Sequence, residues 1–337
     1  MIEWLSLTEE ERKGLLEQIE YTEGIQQKAL EKDWWVALTL KALFTCEYKN
    51  SIAFKGGTSL SKCWKLIERF SEDIDIALAP EVFGFSYEVN PSATSVKKLK
   101  RAGCEFTSVE LKRVLEQAFI KLGVPVGIIK IEAEAILEEM PDKDPQTLFV
   151  HYPTLIEPND YLVDVVKIEV SVRSLLAPHS TSHVQSLLSE SDRFSLYKEV
   201  PFEVLAVAAH KTFLEKMFLL HEEFKKPDKS KIKSERMSRH LYDLERMMDK
   251  EPGIQALEDT ELYNLIIKHR ALYSRLKDID YSTHDKKSLD FIPPAEVLSA
   301  YEKDYETMRS VMIYGEAPNF KQLIARLKAL QSRLRSA

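Results

Sequence analysis

Cysteine is scarce. Cys46, Cys63 and Cys104 are the only three in 337 residues; they have no metal-type spacing and cannot all pair with one another, so neither a disulfide framework nor a zinc site is indicated and a reducing compartment fits. No apolar run approaches the roughly 18 to 20 residues that cross a bilayer. The opening residues, MIEWLSLTEEERKG, carry acids where a signal peptide carries bases, so a cytoplasmic location without a membrane is expected. Positive charge is not in excess either. The net charge of −7 argues against a protein that coats nucleic acid over its whole surface, while leaving a local basic groove open. There is no internal repeat and no low-complexity tract. What remains is a chain with 44% hydrophobic residues, long enough for two domains or one large one with a real core.

The stretch that the rest most plausibly serves is FKGGTSLSKCWKLIERFSEDIDIAL, Phe54 to Leu78. It reads as a short strand (Ser51 to Phe54), a Gly56-Gly57 turn, a helix opening at Thr58 or Ser59, and a second strand carrying Asp73 and Asp75. Two glycines let backbone approach a ligand where a Cβ would clash, and a helix start offers unpaired N–H groups to an anion. The turn therefore reads as a phosphate seat made by Gly56, Gly57, Thr58, Ser59 and Lys62. Side chains alternate along a strand, so Asp73 and Asp75 share one face while Ile74, Ile76 and Leu78 take the other. Paired carboxylates repel unless a cation sits between them, and such oxygen ligands suit Mg²⁺, with Mn²⁺ as a substitute. Taken singly, a Gly-Gly before a helix is an ordinary turn and Asp-x-Asp a solvated strand face. Their combination is much rarer.

That combination, GGTSL followed by SEDID, resembles the nucleotidyltransferase superfamily and, more narrowly, the AbiEii/AbiGii-type toxins of bacterial abortive-infection and toxin–antitoxin systems. The resemblance runs from about Glu31 to Leu244, and a helix bearing Glu31-Lys32-Asp33-Trp34 ahead of the glycine turn is similar to one that a branch of these toxins carries. Here it is treated as scaffold. The family implies an NTP substrate, an RNA or tRNA acceptor and an antitoxin encoded alongside.

In chain order, Leu7 to Glu20 reads as a helix capped by Thr8, and Ile25 to Phe44 as a longer one with Trp35, Leu38, Ala42 and Leu43 as a core stripe. Phe83 to Ser95 reads as a loop, and Thr94 to Leu122 as one helix or two broken near Gly103. Prolines at 141, 145, 153 and 158 then favour short strands, at Val124 to Leu137 and Gln146 to Tyr152. Pro80 to Gly123 is an insertion without a nameable motif. The clearest strand is Tyr161 to Arg173, with Val166, Ile168, Val170 and Val172 on one face and Lys167, Glu169, Ser171 and Arg173 on the other. A nucleotidyltransferase site needs a third carboxylate from a neighbouring strand. Glu169 is the choice and matches the family's Asp or Glu; Asp164, on the apolar face, is the competitor, and a plain solvated face the third possibility.

From Glu203 the chain reads as helical to its end. Val204 to Glu223 is apolar nearly all round, with Lys211, Glu215 and Glu222 in a polar strip and Lys216 off it, where it must either snorkel out or face an anion in a cleft. The wording EKMFLLHEEF followed by RHLYDL is similar to the family's third and fourth motifs. This implies that Lys216 faces the nucleotide phosphates and that Asp243 is the aspartate that follows. Between them Lys225 to His240 holds seven Lys or Arg against Asp228 and Glu235, either a solvated loop or a segment that binds RNA or closes over substrate.

The expected architecture is an α/β (α+β) nucleotidyltransferase core with a mixed sheet and N-terminal helices over residues 1–200, then an α-helical domain over 201–337. The expected catalytic set is Asp73, Asp75, Glu169, Lys216 and Asp243, with Asp73, Asp75 and Glu169 as metal ligands. The expected reaction moves a nucleoside monophosphate from an NTP to a hydroxyl. A phosphotransferase on the same fold and a non-catalytic nucleotide-binding module are the alternatives. A two-metal nuclease fits less well, since it has no need of the glycine turn.

Overall fold

The structure, a computed structural model, describes residues 1–157, 163–190 and 197–336. Tyr161 and Leu162, at the expected start of the clearest strand, lie outside the described residues. The chain divides into two compact units: Met1–Trp64 with Phe70–Val207, and Lys65–Arg69 with Ala208–Ala337.

The first unit is built on one mixed sheet. Its strands are β1 (Ile52–Lys55), β2 (Ile74–Leu78), β3 (Lys130–Ala133), β4 (Gln146–His151), β5 (Val165–Ser171), β6 (His179–Val184) and β7 (Phe202–Val207), in the order β3-β4-β5-β2-β1-β7-β6. The β5/β2 and β1/β7 pairs are parallel and the other neighbours antiparallel. Two short helices, α1 (Glu3–Ser6) and α2 (Glu9–Glu23), lead in, and Thr8 and Glu11 form a reciprocal capping box at the start of α2. The next helix, α3 (Gln27–Thr45), is buried almost without interruption from Lys28 to Phe44, a central helix rather than one with a single core stripe.

Two expectations are corrected here. The segment from Glu203 does not begin a helix: Phe202–Val207 is β7, a strand between β1 and β6, and helix begins only at Ala209. FEVLAV is a short apolar run, and such a run in a two-sided sheet carries no period that separates it from a buried helix. The insertion after Pro80 forms α5 (Ala93–Phe106), a π-helical turn (Thr107–Leu111) and α6 (Lys112–Lys121). The irregularity is thus beyond Gly103, which α5 accommodates because a Cβ there would lie 2.5 Å from Val172 Cγ1. A four-residue helix, α7 (Leu187–Glu190), follows β6.

The second unit is helical: α8 (Ala209–Phe224), α9 (Ser238–Met247), α10 (Glu251–Glu258), α11 (Thr260–His269), α12 (Leu298–Val311) and α13 (Phe320–Ser336). Within it α8 packs on α9, α10 and α11, and α9 on α12 and α13. Residues 65–69 belong to this unit as a strap. Arg69 bridges Ile313 in antiparallel fashion, and Tyr314 N–H donates to the Glu68 carbonyl at 3.1 Å. The chain therefore visits the helical unit between the glycine turn and the Asp-x-Asp strand. No helix of the described residues is long and apolar enough to cross a membrane.

Candidate functional site

The glycine turn and the acidic strand are built against each other. Helix α4 (Gly56–Lys62) opens at Gly56, earlier than the sequence reading placed it, because Gly56 has a φ of +78° that other residues rarely adopt. Space enforces the same choice. A Cβ on Gly56 would lie 2.1 Å from Oδ2 of Asp75, so any side chain there would displace the carboxylate. The antiparallel β1/β2 register sets Lys55 opposite Asp75, which is why the turn falls on that residue. Thr58 fastens the next contact, its hydroxyl 2.5 Å from the Asp73 carbonyl and 2.9 Å from Ser71 Oγ. Ser59 donates back to the Gly56 carbonyl at 3.0 Å. Both hydroxyl residues are buried, so the half-buried part of the turn is the backbone of Gly56 and Gly57.

Glu169 comes to Asp75 through strand register. The parallel β2/β5 ladder pairs Ile74 with Ile168 and Asp75 with Glu169, which puts the two carboxylates side by side on one sheet face. Burial alternates through Ser71, Glu72, Asp73, Ile74, Asp75 and Ile76, and Asp73 and Asp75 take the half-exposed places. Continuing the ladder one step back aligns Asp73 with Lys167. The Lys167 ammonium is hydrogen-bonded to Glu169 Oε1. Burial alone would lower its pKa, yet that bond and the charges of Glu169, Asp73 and Asp75 hold it above the usual lysine value. Lys55 Nζ donates to Ser174 Oγ at 3.0 Å. Neither lysine was singled out from the sequence, although the alternation of β5 places Lys167 on the Glu169 face.

As donors the three carboxylates suit a hard divalent cation, and the register of Asp75 with Glu169 serves that purpose. Among the described residues no three Asp, Glu, His or Cys side chains converge as a closed metal cage. Glu169 is turned to Lys167, so the arrangement fits an ion held from the Asp-x-Asp side, with Glu169 brought in by exchanging its lysine.

Asp164 and Lys62 have other work. Asp164 is ion-paired with Lys28 of α3, and Lys62 reaches Asp33 at 2.6 Å, with both side chains almost fully buried. These belong to a buried polar row on α3 that includes the Glu31-Lys32-Asp33 motif. Lys32 is 2.6 Å from Glu72 and donates to the Val163 carbonyl; Glu31 accepts from Thr154 and from Leu155 N–H; Asp33 also accepts from Leu187 N–H. Burial leaves Glu31 with a raised pKa despite these bonds. Each contact ties a loop of the sheet unit to α3, including Glu72, the residue before Asp73. That is a physical reason for this motif to be scaffold.

In the helical unit Lys216 and Asp243 do meet. Lys216 Nζ lies 2.9 Å from Asp243 Oδ2, and Arg69 grips the same carboxylate with two bonds of 2.8 Å. Lys216 is 6% exposed and Asp243 not at all. Burial would raise the Asp243 pKa, but Arg69 and Lys216 hold it far below the usual carboxylate range. Burial lowers the Lys216 pKa, an effect that Asp243 opposes and Arg69 adds to. The Lys216 ammonium also donates to His240 Nδ1 at 3.3 Å, and burial with the neighbouring positive charges keeps that imidazole neutral. Arg69 went unnoticed in the sequence because its partner is 174 residues away. The polar strip of α8 is internal too: Lys211 pairs with Glu215, and Glu222 with Arg270 and His284.

The basic stretch after α8 is tied down. Lys226 bonds Glu223, Lys229 donates to the Phe224 carbonyl, Lys231 pairs with Asp228, and Asp304 of α12 accepts from the N–H groups of Arg236 and Ser238.

Residues 39–326 match the family model described as nucleotidyl transferase AbiEii toxin, type IV toxin–antitoxin system. The match starts within α3 and runs on into α13, so it takes in the helical tail that the sequence motifs did not reach. No curated protein matches the chain. With most of its length inside that model, and with the glycine turn set against an Asp-x-Asp strand in a mixed sheet, the chain belongs to the AbiEii nucleotidyltransferase toxin family.

Proposed function

We propose that the protein transfers a nucleoside monophosphate from an NTP to a hydroxyl of an RNA acceptor, tRNA among the candidates, in a Mg²⁺-dependent reaction that makes it the toxin of its pair. The observation that carries this reading is the contact of Gly56 with Asp75, in register with Glu169. It sets a bare backbone turn beside a strand of acids, which suits a triphosphate next to a cation. Phosphate oxygens would be met by the Gly56-Gly57 backbone, since the Thr58 and Ser59 hydroxyls are committed to the chain.

Asp73, Asp75 and Glu169 would hold the ion, which when bound supplies positive charge to the phosphates and acidity to the attacking hydroxyl. Glu169 has the place to receive the acceptor's proton, and Lys167 the place to orient it. Lys216, with Asp243 and Arg69 fixing its ammonium, is assigned to offsetting charge on the β- and γ-phosphates, on the strength of the resemblance. A cytoplasmic location and an antitoxin partner belong to the same proposal.

Incubating the protein with total RNA and either α- or γ-labelled NTP tests the reading. Label from the α position should reach RNA, and Asp75→Asn should abolish it. Label from the γ position would instead establish a phosphotransferase. Nucleotide binding without transfer of either label would establish a binding module. Growth provides a second readout: expression without the neighbouring gene should slow bacterial growth, and the Asp75→Asn form should not.

A further inference from the structure

Helix α5 carries Lys97, Lys98, Lys100 and Arg101, four cations in five residues of an acidic chain. Its buried side is Val96, Leu99, Gly103 and Cys104. Lys100 is held by Asp142 at 2.7 Å, whereas Lys97, Lys98 and Arg101 are exposed and, among the described residues, make no ion pair. At about 100° per residue these three occupy roughly a 100° arc of the helix surface. An unpaired group of this kind is repulsive in isolation and is relieved by a polyanion. The stretch at Lys225 to His240 differs, because most of its cations already have partners within the fold.

Position adds the second argument. Gly103 seats α5 directly on Val172, and Tyr87 donates to the Val172 and Ser174 carbonyls beside it. Val172 is three residues beyond Glu169, about 10 Å along the strand, and Lys97 lies six residues, about 9 Å, up the helix from Gly103. The cationic face therefore begins within a few nucleotides' length of the carboxylates, inside the same unit.

We propose that Lys97, Lys98 and Arg101 on α5 form the track for the acceptor RNA's phosphate backbone, delivering its reactive hydroxyl to the Asp75–Glu169 face. This rests on the nucleotidyltransferase reading and names the surface that takes its acceptor. Contacts of this type position a strand without reading its bases.

Binding of a fluorescein-labelled oligouridylate, followed by anisotropy at about 50 and 200 mM salt, tests it. The K97Q/K98Q/R101Q variant should bind about tenfold more weakly at the lower salt. Its slope of log K against log salt should be shallower by about 2, since each lost phosphate contact on a single strand removes about 0.7. Its melting curve should match wild type, as all three residues are exposed. Unchanged affinity and slope would overturn the assignment, and so would a larger loss from K225Q/K231Q/K233Q. If RNA binding persists while binding to labelled polyglutamate is lost, the face serves an acidic protein instead. Failure of the transfer reading shows separately, as absent α-label incorporation by the wild-type chain, which the anisotropy does not depend on.

Discussion

The sheet unit and the helical unit hold their charges in opposite ways. On the sheet, Asp73, Asp75 and Glu169 share a half-exposed face with Lys167, and acids outnumber the base. In the helical unit Arg69 and Lys216 converge on Asp243, bases outnumber the acid, and water is almost excluded. A half-open acidic face keeps its carboxylates solvated until a cation arrives, so its loss should cost chemistry and little stability. A buried cluster has already given up its hydration, so each member is held only by the others and its loss should cost the fold. Function and stability are thus expected to separate between the two.

The largest test is on the sheet. Asp75→Asn should reduce transfer by several kcal/mol of barrier, on the order of 10⁴-fold. Melting should stay within about 0.5 kcal/mol of wild type, as for other exposed changes; a variant with wild-type turnover would dissolve the comparison. The counterpart in the helical unit is Asp243→Asn. It leaves Arg69 and Lys216 buried without their counter-charge, and should cost about 3–5 kcal/mol in denaturant unfolding. An unaltered midpoint would mean that the cluster is not held together by its carboxylate.

Acid should act on the helical unit next. His221 Nδ1 accepts from the Asp290 N–H and Nε2 lies 2.9 Å from Thr283 Oγ1, so the ring is held neutral; burial, aided by His284 and Lys225, lowers its pKa to about 4. A histidine whose folded pKa lies below its unfolded value contributes stability that is complete above about 6.5 and lost as pH falls toward 4. The full gap corresponds to roughly 3 kcal/mol. His240 acts in the same direction. Melting temperature should therefore fall between pH 6.5 and 4, and His221→Gln should flatten part of that fall.

The smallest expected effect is at Lys167. Lys167→Met removes the ammonium that competes for Glu169, and calorimetric titration with Mn²⁺ should show affinity rising about tenfold, some 1.4 kcal/mol. Equal affinities would show that Lys167 and the ion do not share that carboxylate.

Much of the catalytic face was legible because it depends on local rules. Alternation on two strands separates Asp73 and Asp75 from Ile74 and Ile76, and Glu169 from Ile168, without reference to anything distant. Other features were hidden. Phe202–Val207 was read as helix because its neighbours in the sheet, not its own pattern, make it a strand. Lys62 was assigned to phosphate because proximity to the glycine turn is visible in sequence, while Asp33 is not visibly opposite it.

The sequence by itself determined the bare turn, the spacing of the acids and the membership of Lys216 and Asp243 in family-like wording, because backbone freedom and side-chain period are properties of a few consecutive residues. Tertiary structure alone decided that Asp75 stands in register with Glu169, that Lys167 shares the acidic face, and that Arg69 clamps Asp243 across 174 residues. Strand order and ion-pair partners arise when segments far apart in the chain exclude water together. No single segment carries that information, since the cost of burying each charge is offset only by a partner supplied from elsewhere.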